Sequence, residues 1–125
     1  MVNIDRYADI AAELVVAGCV VASPQGAALA ARHVTASMFS RPYLADLVDC
    51  AVDLPRQPPT FDDPLEPGLA TQRALAAAAI TGIKPDHVLQ LVRERPVLVD
   101  TSGAWARRVH AAWLRRGALE AIEDA

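Results

Sequence analysis

The sequence has few of the residues that form disulfide frameworks, membrane spans or export signals. Cys19 and Cys50 are the only two cysteines, and each lies in an apolar helical pattern where a thiol acts as a small hydrophobic group. We therefore expect no disulfide framework and a reducing, cytoplasmic location. The longest apolar run, Leu14 to Ala22, is too short to span a bilayer. Residues Met1 to Asp9 include Asp5 and lack an apolar core, so we expect no secretory signal.

The motifs of several enzyme classes are also absent from the sequence. It contains neither the G-x-x-x-x-G-K-[ST] phosphate loop nor the G-x-G-x-x-G turn of dinucleotide-binding folds. The histidines have no metal-ligand spacing and no cysteine close by in sequence; they are His33, His87 and His110. We predict ordinary surface or half-buried histidines, no metal, no cofactor and no enzyme activity.

Acidic pairs and serines could supply catalytic groups, but their positions favour simpler roles. Asp62-Asp63 lies in a proline-rich segment and Glu123-Asp124 near the carboxyl end, where solvated charge is the commoner outcome. Four serines lie at predicted helix starts, where helix capping explains them: Ser23, Ser37, Ser40 and Ser102.

Charge is distributed unevenly although the total is small. The net charge is −3, which gives no overall attraction to nucleic acid. Between Lys84 and Arg116, however, seven basic and three acidic residues give a local charge of +4, so the remainder carries −7. The pairs Arg107-Arg108 and Arg115-Arg116 are compatible with solvated helix arginines, with an acidic protein partner or with a weak phosphate contact.

Alanine is the residue that the sequence has in excess, and it favours helices because it loses little side-chain entropy there. The 125 residues predict a single all-α domain, a compact bundle of about six helices with a long C-terminal helix. The predicted helices begin after capping residues or prolines and end before glycine or proline. They are Ile10 to Val21 after Asp9, Pro24 to about His33, Tyr43 to about Leu54, Leu69 to Ile80 before Gly82, Pro85 to about Arg95, and Gly103 to Glu123.

The segments between these helices have distinct compositions. From Pro55 to Pro67 five of thirteen residues are proline, which predicts an extended surface loop, with Phe61 and Leu65 holding it to the core. The short stretch before the third helix places Phe39 to fill the core. Gly82 separates two short helices that form a predicted hairpin.

The last helix carries the residues that most suggest an interface. One stripe combines apolar groups and arginine, and we expect it to face a partner: Trp105, Arg108, Val109, Ala112, Trp113 and Arg116. A second apolar strip contains Leu114, Ala118, Ala121 and Ile122. Burial of the two indoles in the chain's own core is an equally open alternative. Because some twenty helical residues extend about 30 Å, the helix should project past its own core or lie along a partner.

The order of these features resembles the N-terminal domain of replicative DNA helicases of the DnaB type. The resemblance lies in four stretches: Glu13 to Val21, Val34 to Pro42, Leu47 to Val52, and Trp105 to Val109 with Arg115-Arg116. It covers both ends of the chain but not its middle. A histidine usual in the family's third helix is missing near Leu44, and the Pro55 to Pro67 segment has no clear counterpart.

The resemblance implies a helical domain that pairs through its terminal helical hairpin, builds a collar on a hexameric helicase and docks primase or a loader. The ATPase motor that normally follows is not in this sequence. We expect either the N-terminal domain of a longer helicase or a free-standing, phage-related protein that binds a helicase or primase. The end of the chain within a helical, charged run fits the first.

A second hypothesis belongs to a different functional class. The helix pair around Gly82 loosely resembles a helix-turn-helix, so the basic C-terminal half could serve a small DNA-binding regulator. The stretch Ile83 to Asp86, however, places few base-reading side chains at the start of the second helix.

Overall fold

The computed structural model describes residues 9–57, 68–94 and 101–124, and within these ranges the fold is all-α, as predicted. It contains six α-helices and no strand there. The helices are α1 (Ile10–Ala22), α2 (Pro24–Ala31), α3 (Pro42–Asp49), α4 (Leu69–Thr81), α5 (Pro85–Glu94) and α6 (Ser102–Asp124). Two short 3-10 helices, Ala36–Met38 and Cys50–Asp53, lie on either side of α3. In none of the described ranges is a helix both long and apolar enough to cross a membrane.

Helix α1 is the centre of the bundle. It packs against α2, α3, α4, α5 and α6, and most of its side chains are buried. A helix that is apolar on almost every side must be covered on every side, which explains why the other helices surround it. The predicted core residue Phe39 is buried among the side chains packed around α1.

Local sequence signals set several helix ends as predicted. The Asp9 carboxylate accepts a hydrogen bond from the Ala12 amide at the start of α1, and the Ser23 hydroxyl accepts one from the Gly26 amide at the start of α2. Helix α4 ends at Gly82, whose φ of 77° lies in the left-handed region that favours glycine. The Gly82 amide donates to the Ala78 carbonyl, and α5 then packs back against α4.

Small residues let α2 approach α1 closely. A Cβ at Gly26 would collide with the Cys19 carbonyl oxygen, so no larger residue fits there without moving a helix. Glycine at this position therefore allows α2 to begin in close contact with the last part of α1.

One prediction falls on residues outside the described ranges: most of the proline-rich loop at 55–67, with Phe61 and Leu65, lies there. The third predicted helix is α3 followed by the tighter Cys50–Asp53 turn, which ends shortly before Pro55.

Candidate functional site

One face of α6 holds the helix to the rest of the chain. Its buried residues recur at spacings of three and four, as a helix stripe requires. They are Ser102, Ala106, Val109, Ala112 and Arg116. This stripe packs against α1, α2 and the Ala36–Met38 turn.

The six residues predicted to face a partner divide between the core and the surface. Val109 and Ala112 are each 1 % exposed, and Arg116 is 7 % exposed and donates from Nη2 to the Met38 carbonyl oxygen at 2.7 Å. These three side chains face the chain's own core, because the buried stripe runs through Ala106 rather than through the two indoles. Trp105, Arg108 and Trp113 lie beside it and reach the surface.

Trp105 and Arg108 form a local cluster with the start of α1. The Arg108 guanidinium carbon lies 4.6 Å from the centre of the Trp105 ring. The same guanidinium pairs with Asp9, with Nη2 at 2.8 Å from Oδ2, while the other Asp9 oxygen caps α1. This cluster ties α6 to the first turn of α1, although an ion pair this exposed contributes at most about 1 kcal/mol.

The distal segment of α6, from Trp113 to Ile122, leaves the core, and Arg116 is the one buried residue in it. Residues 117–122 include none that is buried. Trp113 is 37 % exposed, Leu114 53 % and Ile122 71 %. Within this segment, Leu114, Ala118 and Ile122 follow one another at intervals of four residues and form one apolar strip. This protrusion agrees with the predicted length of the last helix.

Exposed arginines accompany this apolar surface. Arg107 and Arg115 are exposed on α6, and neither has an acidic partner among the residues that the structure describes. They are eight residues apart, so about 12 Å separates their positions along the helix axis.

Glu13 is a buried charge with a structural role. This side chain of α1 is 1 % exposed, and its Oε1 accepts from the Ser40 amide at 2.7 Å and from the Arg41 amide at 3.4 Å. Its Oε2 accepts from the Ser40 hydroxyl at 2.7 Å. The carboxylate therefore fixes the backbone immediately before α3, where Pro42 cannot supply a donor.

Arg73 is a second buried charge, and sequence reasoning did not single it out. It donates from Nε to Val21 O at 2.6 Å, from Nη2 to Val20 O at 2.7 Å and from Nη1 to Pro55 O at 2.7 Å. Two of these carbonyls belong to the last turn of α1, where the helix dipole favours a cation. A lone arginine in the alanine face of a helix, four residues before Ala77, was the signal that could have identified it.

The serine prediction was correct only in part. Ser23 caps α2, but Ser40 donates to Glu13, and Ser37 shares a hydrogen bond with Thr35. The Ser102 hydroxyl is buried and has no hydrogen-bond partner among the described residues, so it does not cap α6. At Ser40 a contact with the distant Glu13, rather than local spacing, decides where the hydroxyl lies.

The described part of the chain brings no group of three histidine, cysteine or acidic side chains close enough together to hold a metal ion. His87 stacks near Tyr43 with ring centres 5.2 Å apart, and His110 lies 5.8 Å from the Trp113 ring. His33 has its ring next to Gly103. The three histidines thus lie at separate places and have aromatic or packing neighbours.

Comparison with known proteins finds no matching family model, no similar curated protein and no similar solved structure. The surface of α6 and the resemblance in the sequence are therefore the basis for a functional proposal.

Proposed function

We propose that this chain is a non-catalytic interaction domain that assembles with further protein chains, its own copies included, through the distal segment of α6. The observation that carries this proposal is the exposure of Trp113, Leu114 and Ile122 on a helix end that leaves its own core. Solvent-exposed apolar side chains gathered on one protruding element are typical of association surfaces.

The energetics of these side chains favour association. Covering the exposed parts of Leu114 and Ile122 would contribute about 1–2 kcal/mol each. Trp113 belongs to the residue type that is most enriched at binding hot spots, and arginine, here Arg115, is enriched there as well. Of the six predicted interface residues, Trp105, Arg108 and Trp113 can contact a partner directly, whereas Val109, Ala112 and Arg116 support the helix from within.

The biological setting that we propose follows from the resemblance to DnaB-type N-terminal domains. It places the chain in DNA replication in the cytoplasm, where it would self-assemble and dock primase, a loader or a helicase. Support for this step comes from the order of the four sequence stretches.

Sedimentation equilibrium of the purified chain tests the assembly proposal. We expect self-association at tens of micromolar, and Leu114→Glu combined with Ile122→Glu should weaken it at least tenfold, because charge would have to be buried in the interface. Ile80→Glu is the matched control, since Ile80 is 51 % exposed on α4 and Leu114 is 53 % exposed on α6.

Circular dichroism of each variant separates a loss of association from a loss of folding. The assembly proposal fails if the wild-type chain stays monomeric and binds neither primase nor helicase. It also fails at this surface if Ile80→Glu weakens association as much as the double variant does.

A small DNA-binding regulator remains a second candidate, and the exposure of Arg107 and Arg115 without a described acidic partner is the observation that favours it. Gel shifts at two salt concentrations distinguish the candidates. Two arginines that contact phosphates would lose most of their affinity between about 50 and 200 mM salt. Binding that persists above that range and disappears in Arg107→Gln with Arg115→Gln, but not in Arg93→Gln, would favour the regulator.

A further inference from the structure

A groove separate from α6 lies between α2, the end of α1 and the turn that follows α3. It encloses a cavity of about 270 Å³. The walls come from small or branched apolar residues, and four alanines of α2, Ala27, Ala28, Ala30 and Ala31, form one side. Val48 and Val52 form part of the other side.

The groove exists because its walls are short. Alanine side chains on α2 leave space that leucine or phenylalanine would fill, and Gly26 allows α2 to sit close on α1. Val52 on the rim is 71 % exposed, so the groove presents an apolar surface that no described element covers. The cavity has room for roughly nine groups the size of a water molecule, at about 30 Å³ each. Its size suits a small, flexible apolar chain better than a folded partner.

Among the described residues that line this groove, two are charged, and both are arginines. Arg73 is fully occupied in holding the Val20, Val21 and Pro55 carbonyls. Arg56 is exposed and has no acidic partner among the residues that the structure describes. Asp49 and Asp53 are near in sequence but do not line the cavity. Arg56 therefore places a positive charge at this end of the groove, and a negative group on a ligand would lessen the repulsion between the two guanidinium groups.

We propose that the groove binds a medium-chain fatty acid, with the alkyl chain between α2 and Val52 and the carboxylate at Arg56. An apolar chain with one anionic end matches the two properties of the site, an apolar cleft and a cation at its edge that has no acidic partner among the described residues. The site is independent of the α6 surface, so either proposal can fail without the other.

Titration of the full chain with octanoate, followed by amide and methyl chemical shifts and kept below the micelle concentration, tests the proposal. We expect saturable shifts confined to residues of the groove. Hexanoate should bind about tenfold more weakly than octanoate, because two methylenes fewer are buried. Octanol should bind about two- to fivefold more weakly, because it lacks the charge that Arg56 pairs with.

Two variants with matched controls locate the ligand. Arg56→Gln should remove the preference for octanoate over octanol, whereas Arg93→Gln on α5 should retain it. Ala28→Leu should abolish binding by filling the groove from an exposed position, while Ala79→Leu, an exposed alanine of α4, should leave binding unchanged.

Absence of saturable shifts with octanoate overturns the proposal. So does equal affinity for octanoate and octanol in the wild-type chain, or unchanged binding in Ala28→Leu. Thermal denaturation of each variant without ligand shows whether it is folded, and all four substituted positions are exposed, so we expect folded proteins.

Discussion

At the residue scale, Arg73 joins elements that are far apart in the sequence. Its guanidinium donates to the Val21 carbonyl in the last turn of α1, 52 residues away in sequence. It also donates to the Pro55 carbonyl, 18 residues away. Burial lowers the pKa of Arg73, and the nearby Arg56 lowers it further. A buried cation without a carboxylate is tolerated here because three carbonyl oxygens at a helix end replace the solvent.

We predict that Arg73→Leu destabilises the chain by about 3–5 kcal/mol, since it leaves buried carbonyl oxygens unpaired. Arg73→Lys should cost about 2–3 kcal/mol, because one ammonium group cannot reach three separated acceptors. Urea denaturation monitored by tryptophan fluorescence measures both. Arg93→Lys, at an exposed position, is the control and should change stability by less than about 0.5 kcal/mol. Equal effects of Arg73→Lys and Arg93→Lys would contradict the structural role.

The two thiols give a prediction about pH. Burial raises the pKa of both Cys19 and Cys50 above the ordinary value of 9.0, and for Cys50 the charge of Asp53 adds to the effect. Above that pH the unfolded chain loses thiol protons that the folded chain keeps. The two protonated thiols therefore make their full contribution to the free energy of unfolding below pH 9.0. This contribution is lost as the pH rises through the pKa values of the thiols in the folded chain.

Urea denaturation between pH 7 and pH 10 measures this contribution. The wild-type chain should lose about 1–2 kcal/mol more than a Cys19→Ala, Cys50→Ala double variant, because the variant has no thiol to titrate. Comparison of the two proteins removes the part due to lysine and tyrosine. Parallel pH profiles would show that the thiols do not contribute.

At the scale of elements, the helix ends show what local sequence can predict. Asp9, Ser23 and Gly82 act within a few residues of their own position, so capping rules and backbone preference were sufficient for them. Glu13 and Arg73 satisfy backbone groups of other helices, and no local pattern states which helix will come near. The burial of Val109, Ala112 and Arg116 could not be predicted for the same reason, because the side of a helix that is buried depends on where the core lies. The all-α class was therefore predictable, whereas the orientation of α6 was not.

The connection between α1 and the start of α3 can be tested through Glu13 and Ser40. We predict that Glu13→Gln costs about 1–2 kcal/mol, because hydrogen bonds to a charged acceptor are stronger than those to an amide. Ser40→Ala should cost about 1 kcal/mol in the wild-type background and less in the Glu13→Gln background. Equilibrium unfolding of the four proteins in this double-mutant cycle measures the coupling. Glu120→Gln, an exposed acid of α6, serves as the control. Strict additivity would mean that the two side chains act separately.

At the scale of the whole molecule, the buried core and the proposed assembly surface occupy different parts of the chain. The core surrounds α1, and α6 contributes to it only as far as Arg116. The apolar side chains that would stabilise an assembly lie in the distal segment, where they add little to the folded monomer. Under the assembly proposal, the chain would lose its partners without losing its fold.

A chain that stops after Gly117 would separate the two properties. It keeps every buried residue of α6, and it places Arg115 and Arg116 in the last turn, where the helix dipole favours cations. We therefore predict that its free energy of unfolding, measured with urea at a concentration where the wild-type chain is monomeric, stays within about 1 kcal/mol of wild type. In sedimentation equilibrium the same truncated chain should associate more weakly than wild type at tens of micromolar, because it loses Ala118 and Ile122 but keeps Trp113 and Leu114. Association as strong as that of wild type would contradict a contribution of residues 118–122 to the interface, and a large loss of monomer stability would mean that these residues pack against their own core.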